Sequence, residues 1–235
     1  MALPKLNELP SYSVTIPSSG QKTTFRPFLV KEQKALLIAL ETQERQDILR
    51  AVVRTINACV EEPLNGNLTT FDVDYLFTKI RAKSVGETAD ISMKCEKCET
   101  TNQLTVDLDD ISVDGEVPDL TIKITDDVSV LMRLPSYEDL LNNRALTSSQ
   151  TVTETLLQLI ISCMDSVLTE EERYSLRDET DEEIVTFLES MTSEQFDRIS
   201  KFATSLPSVS RDVSFTCESC GHENAVTLKG IDHFF

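Results

Sequence analysis

The sequence predicts an α+β protein, and three observations carry that prediction. Two Cys-x-x-Cys motifs, Cys95-Glu96-Lys97-Cys98 and Cys217-Glu218-Ser219-Cys220, lie in segments of matching alternation. A strand-like stretch near the N-terminus is broken by a glycine-containing turn. Stripes of apolar residues at helical spacing run before and between the cysteine motifs. Together they predict a split four-cysteine zinc ribbon made of two Cys-x-x-Cys β-hairpins. An N-terminal β-hairpin precedes it and a helical insertion separates the knuckles. The expected division is 1–88 for the N-terminal hairpin and helices, 89–134 with 207–235 for the ribbon and its strands, and 135–206 for an acidic helical insertion.

The elements follow in order. Tyr12-Ser13-Val14-Thr15-Ile16 alternates, Pro17-Ser18-Ser19-Gly20 turns, and Thr23–Phe28 returns as a second strand limited by Pro27. Leu36, Leu37 and Leu40 mark a first helix, and Ile48, Leu49, Val52, Val53 and Ile56 mark a second. Cys59, at the end of that second stripe, reads as a small core hydrophobe. Pro63–Asn67 is an expected loop. Leu68–Lys83 is a third helix, with Asp72 and Asp74 near its start and Lys79, Arg81 and Lys83 near its end, as the helix dipole favours. Alternation around Asp126-Asp127, from Leu120 to Met132, predicts a strand pair. Ser136 and Asp139 have capping-box spacing. Val152–Val167 reads as an apolar helix containing Cys163 as core, and Thr169–Glu172 and Thr192–Gln195 read as helix starts. Pro207 ends the last helix.

The cysteine pairs hold the chemistry. Aligned on them, residues 91–108 and 213–230 agree at Ser92/Ser214, Glu96/Glu218, Asn102/Asn224 and Thr105/Thr227 as well as at the cysteines. One strand–knuckle–strand unit is therefore used twice. Two such knuckles supply four thiolates, a tetrahedral structural zinc set formed by Cys95, Cys98, Cys217 and Cys220. The 118 residues between Cys98 and Cys217 do not obstruct it, since loop closure costs grow slowly with length. Iron suits the same four sulfurs. A closed four-thiolate shell leaves no open position for catalytic water. A thioredoxin-like redox pair needs a motif that opens a helix, whereas strands flank both knuckles here. His222 is expected as a turn residue outside the ligand set, and Gly221 suits the turn, while Glu99 in its place predicts a less regular first knuckle.

Composition removes several function classes. The chain has 40 acidic and 22 basic residues among 235, a formal charge of −18. That balance argues against a general nucleic-acid binder and against docking on an anionic membrane. No apolar run is long enough to span a bilayer, and the N-terminus lacks a signal-peptide core. The expected compartment is therefore cytosolic, with reduced cysteines. Residues 1–58 hold eight basic against five acidic side chains, a net of +3, so residues 59–235 hold −21. The densest acidic stretch, 169–190, reads as solvated surface. No phosphate loop, dinucleotide fingerprint or nucleophile elbow is present, so no small-molecule substrate is expected. His233, beside Phe234 and Phe235, reads as part of a docking tail.

Two stretches point to a family. They are Arg26-Pro27-Phe28-Leu29-Val30-Lys31-Glu32 with Lys34, Leu36 and Leu37, and Phe71-Asp72, Tyr75-Leu76-Phe77 and Arg81-Ala82-Lys83-Ser84-Val85-Gly86-Glu87 leading into Cys95 and Cys98. With Leu9, Pro10 and Tyr12, they resemble the baseplate hub assembly proteins of T4-type contractile-tailed bacteriophages, over about residues 1–110. The resemblance implies a non-enzymatic assembly factor that binds phage baseplate hub or tail proteins in the host cytoplasm during virion assembly. The alternatives are a permanent hub subunit in the virion baseplate, a zinc-ribbon nucleic-acid-binding regulator and a thiol oxidoreductase. Arg26, Phe28, Arg81 and Lys83 are the expected partner contacts, because arginine and aromatic side chains anchor interfaces.

Overall fold

A computed structural model describes residues 9–62, 64, 68–142 and 151–230. Most of the expected loop at Pro63–Asn67 and the His233 tail lie outside the described residues. The fold is mixed α/β, and the chain forms two compact units. One comprises residues 1–114 and 208–235, and the other residues 115–207.

The first unit opens with the antiparallel pair β1 (Tyr12–Thr15) and β2 (Lys22–Phe25). Helices α1 (Val30–Thr42), α2 (Arg45–Cys59) and α3 (Thr70–Ser84) follow. Thr69 and Asp72 form a reciprocal capping box at the start of α3. Asp72 does more than favour the helix dipole. It is fully buried, and its carboxylate also accepts the N–H of Ser18 at 2.9 Å and the Ser18 hydroxyl at 2.6 Å. One side chain thus closes the helix and ties the β1–β2 turn to it. Arg26 acts similarly between β2, α1 and α2. It pairs with Glu32 at 3.0 Å and donates to the Ala58 carbonyl at 2.8 Å. Burial pushes the Glu32 carboxyl up, but Arg26 and the Leu29 N–H outweigh it and hold the group below the ordinary glutamate value.

Two long hairpins complete this unit. Strand β3 (Thr88–Lys94) pairs with β4 (Thr101–Asp107), and β10 (Ser208–Thr216) pairs with β11 (Glu223–Lys229). Short β5 (Ser112–Asp114) joins the free edge of β10. Ala89, Ile91, Val106, Leu108, Val209 and Leu228 pack together with Ala82 of α3 in one core. Burial of each large aliphatic side chain there contributes roughly 2 kcal/mol.

In the second unit, the stretch 135–206 expected as a helical insertion contains strands as well as helices. Strands β6 (Thr121–Lys123) and β7 (Val128–Met132) do form the predicted pair. They belong to an antiparallel sheet with β8 (Met164–Thr169) and β9 (Arg173–Ser175), so they stand apart from the cysteine hairpins that were expected to share their body. Helix α4 (Tyr137–Asn142) begins at the expected Ser136–Asp139 cap. The apolar helix predicted over 152–167 stops early, as α5 (Val152–Cys163), and the chain runs straight into β8. The reason is tertiary. Pairing with β7 satisfies the backbone of 164–169 and buries Met164 and Val167 beside Val130 and Met132. The expected helix start at Thr169 is a hairpin turn, in which Thr169 and Glu172 bond each other's backbone. The same Thr-x-x-Glu spacing does start a helix at Thr180, which caps α6 (Asp181–Glu189). Thr192 caps α7 (Ser193–Thr204).

Replacing Asp72 by alanine strands four donors of Ser18 and Thr69, two of them buried. We expect a loss of about 3 kcal/mol of stability, read by chemical denaturation.

Candidate metal centre

The two hairpins present their turns to one another. In the first, the Cys95 N–H donates to the Thr100 carbonyl at 3.0 Å and the Glu99 N–H to the Cys95 carbonyl at 2.9 Å. In the second, Cys217 N–H to His222 carbonyl and Gly221 N–H to Cys217 carbonyl measure 2.8 and 2.9 Å. The strand registers also coincide, with Lys94 opposite Thr101 and Thr216 opposite Glu223. Thr105 bonds Asp90 across the first hairpin as Thr227 bonds Asp212 across the second. The sequence repeat is therefore a structural repeat down to its side-chain pairs.

Glu99 does not make the first knuckle irregular. It adopts φ 58°, the left-handed conformation that Gly221 takes at φ 68°. Glycine adopts it freely, whereas a side chain there costs about 1 kcal/mol.

The four cysteines converge. All are free thiols, and their sulfurs lie within 4.8 Å of one another. Cys95 to Cys220 is 3.7 Å and Cys98 to Cys217 is 3.6 Å. Disulfides require about 2.05 Å, so the sulfurs are not bonded. Four sulfurs at about 2.3 Å from a central ion would stand about 3.8 Å apart in a tetrahedron, which these spacings match. Cys95 and Cys217 are buried, and Cys98 and Cys220 are exposed. His222 contributes its backbone carbonyl, and the cluster is made of cysteines alone.

Two further residues hold the cluster. Asn102 and Asn224 sit at equivalent positions on β4 and β11, and both are buried. Each amide nitrogen donates within its own hairpin, Asn102 to the Thr100 carbonyl at 2.9 Å and Asn224 to the His222 carbonyl at 3.0 Å. Each amide oxygen reaches across. The Glu218 N–H donates to Asn102 and the Glu96 N–H to Asn224, both at 3.0 Å. The asparagines thus clasp the opposite knuckle, and Asn102 also approaches the Cys217 sulfur at 3.8 Å. The matching asparagines were visible in the repeat, but their crossed reach was not.

The thiols themselves respond to this setting. Burial pushes Cys95 up, but the backbone N–H groups of Cys98 and Lys97 outweigh it and leave the group lowered. Contacts with Thr100 lower Cys98, and the Cys220 and Ser219 N–H groups lower Cys217 against the cost of burial. Cys220 receives the His222 N–H, yet the sulfurs of Cys98, Cys217 and Cys95, together with burial, push it up to about 12. Four thiolates repel one another, and a central cation would remove that penalty.

The residues expected at partner contacts lie outside the four-cysteine cluster. Arg26 is committed to its internal ion pair. Lys83 bridges Glu87 and Asp109 at 2.5 and 2.9 Å. Phe28 is half-buried, and its N–H donates to the Ser84 hydroxyl at 2.9 Å. Arg81 is half-buried, with one guanidinium nitrogen buried and unpartnered among the described residues.

Fold and site define a two-unit α+β protein whose first unit carries a four-cysteine cluster suited to a metal ion. The chain belongs to the T4 bacteriophage base plate protein family, whose pattern matches residues 9–235. No curated protein and no solved structure is significantly similar to it. Among the described residues no helix is long and apolar enough to cross a membrane.

Two outcomes follow from the geometry. Asn102→Ala and Asn224→Ala should each weaken binding of added zinc about tenfold or more, by equal amounts, in competition with a chromophoric chelator. Glu99→Gly should stabilise the protein by about 0.5–1 kcal/mol, seen as a rise of a few degrees in Tm.

Proposed function

We propose that this chain is a non-enzymatic baseplate hub assembly protein that binds hub components through protein contacts, with one structural zinc at Cys95, Cys98, Cys217 and Cys220. The observation that carries the reading is the closed four-sulfur cage in a member of the baseplate family. Such a cage offers a metal no open coordination position, which favours scaffolding over catalysis. With zinc bound, the two hairpins form a zinc ribbon. Its binding free energy counts as folding free energy, because the ligands come together only when the chain folds.

The surface around the knuckles supports protein partners over nucleic acid. Glu96, Glu99, Glu218 and Glu223 are all exposed there, opposed by Lys94 and Lys97. That balance repels phosphates. Assembly would take place in the host cytoplasm. A second reading, a permanent subunit of the hub, is favoured by the family's own description as a base plate protein.

Elemental analysis of protein purified under reducing conditions should find one zinc per chain and no iron. Cys217→Ser should release the metal and destabilise the fold, whereas Cys163→Ser should retain it. Zinc well below stoichiometric amounts would sink the metal assignment. Mass spectrometry of purified virions separates the two roles, since an assembly factor is absent from them and a hub subunit is present.

A further inference from the structure

Helix α1 carries apolar residues on both sides. At 3.6 residues per turn, Glu32, Leu36 and Ala39 fall together, and they are the buried residues of this helix. Val30, Lys34, Leu37, Ile38 and Glu41 fall on the opposite side. Val30 is 79% exposed, Leu37 54% and Ile38 52%. Among the described residues ten large hydrophobic side chains are exposed, and five of them lie between Leu29 and Leu40. Scattered apolar residues need no explanation, but Val30, Leu37 and Ile38 share one face of one short helix, which suits a partner.

The charges on this face indicate what covers it. Lys34 lies three residues before Leu37, and Glu41 lies three residues after Ile38. Both are exposed, and neither has an ion-pair partner among the described residues. The face is therefore self-complementary about a point between Leu37 and Ile38. Two copies laid antiparallel across that point place Leu37 and Ile38 against their equivalents, and each Lys34 opposite the other copy's Glu41. Such reciprocal pairing is what a two-fold symmetric interface requires.

We propose that a second copy of this chain docks here, forming a two-fold dimer through antiparallel α1 helices. A helix of 13 residues is about 20 Å long, so the contact falls below the roughly 1,200 Å² of stable complexes. The dimer is accordingly weak and concentration-dependent, and gains strength where copies are held side by side.

Sedimentation equilibrium of the full-length protein, from micromolar to near-millimolar concentration, tests this. The wild type should pass reversibly from monomer to dimer. L37E should remain monomeric. K34E and E41K should each weaken the dimer about tenfold or more, since like charges then meet twice across the symmetry axis. K34E/E41K together should restore it, because the opposite pairing returns. Circular dichroism and metal content should be unchanged in all four variants, whose substitutions are on the surface. A wild type that is monomeric throughout leaves the face to a different protein and overturns the proposal. A dimer that survives L37E, or a double variant that folds but does not recover, overturns it equally.

Discussion

The paired hairpins of the first unit depend on two chain segments, more than a hundred residues apart, returning to the same point. Cys95 and Cys98 meet Cys217 and Cys220 there, and the crossed asparagines fasten each knuckle to the opposite turn. Contacts at such separation are costly to form, because the intervening chain must be ordered or looped out. The structure meets that cost with a shared core. The inner faces of both hairpins pack against α3, and the edge of β10 takes up β5, whose Asp114 accepts a hydrogen bond from Ser210. The second unit enters at Gly115 and leaves at Pro207, next to the paired residues Asp114 and Ser208. An insertion whose ends are already adjacent places little demand on the site it interrupts.

The charge distribution follows a similar logic. Arg26 is engaged inside the first unit, and Arg133 and Arg173 inside the second, where they pair with Asp139 and Asp165. The Arg26 and Arg133 pairs are partly buried and hold elements together, since removing one partner leaves a charge with poor solvation, whereas Arg173 is itself exposed. The acidic stretch 169–190 spreads instead over the β8–β9 turn, β9 and the exposed first turn of α6, where carboxylates suit the helix dipole. The chain's net acidity is largely solvated surface. Among the described residues, half of the exposed large hydrophobic side chains lie between Leu29 and Leu40.

Local signals were legible wherever a motif acts on its own neighbours. Capping at Ser136 and Thr192, the β1–β2 turn, the three N-terminal helices and both knuckles follow from side chains a few residues apart. The four cysteines could be assigned to one cluster because a repeated hairpin implies a repeated position. Thr169 and Thr180 show where such signals stop. Both open a Thr-x-x-Glu sequence, yet one makes a hairpin turn and the other a helix. The difference lies in β7, which offers a strand partner to the residues before Thr169.

By itself, then, the sequence determined the mixed fold class, the duplicated knuckle and the four-cysteine cluster, each written in spacing and local chemistry. Only the tertiary structure decided that Met164–Thr169 leaves the helix and joins a sheet, that β6 and β7 belong to the second unit, and that Asn102 and Asn224 exchange their bonds between hairpins. It also decided which face of α1 stays uncovered. These outcomes depend on which distant segment supplies the backbone partner or the packing surface, and no local pattern specifies a distant partner.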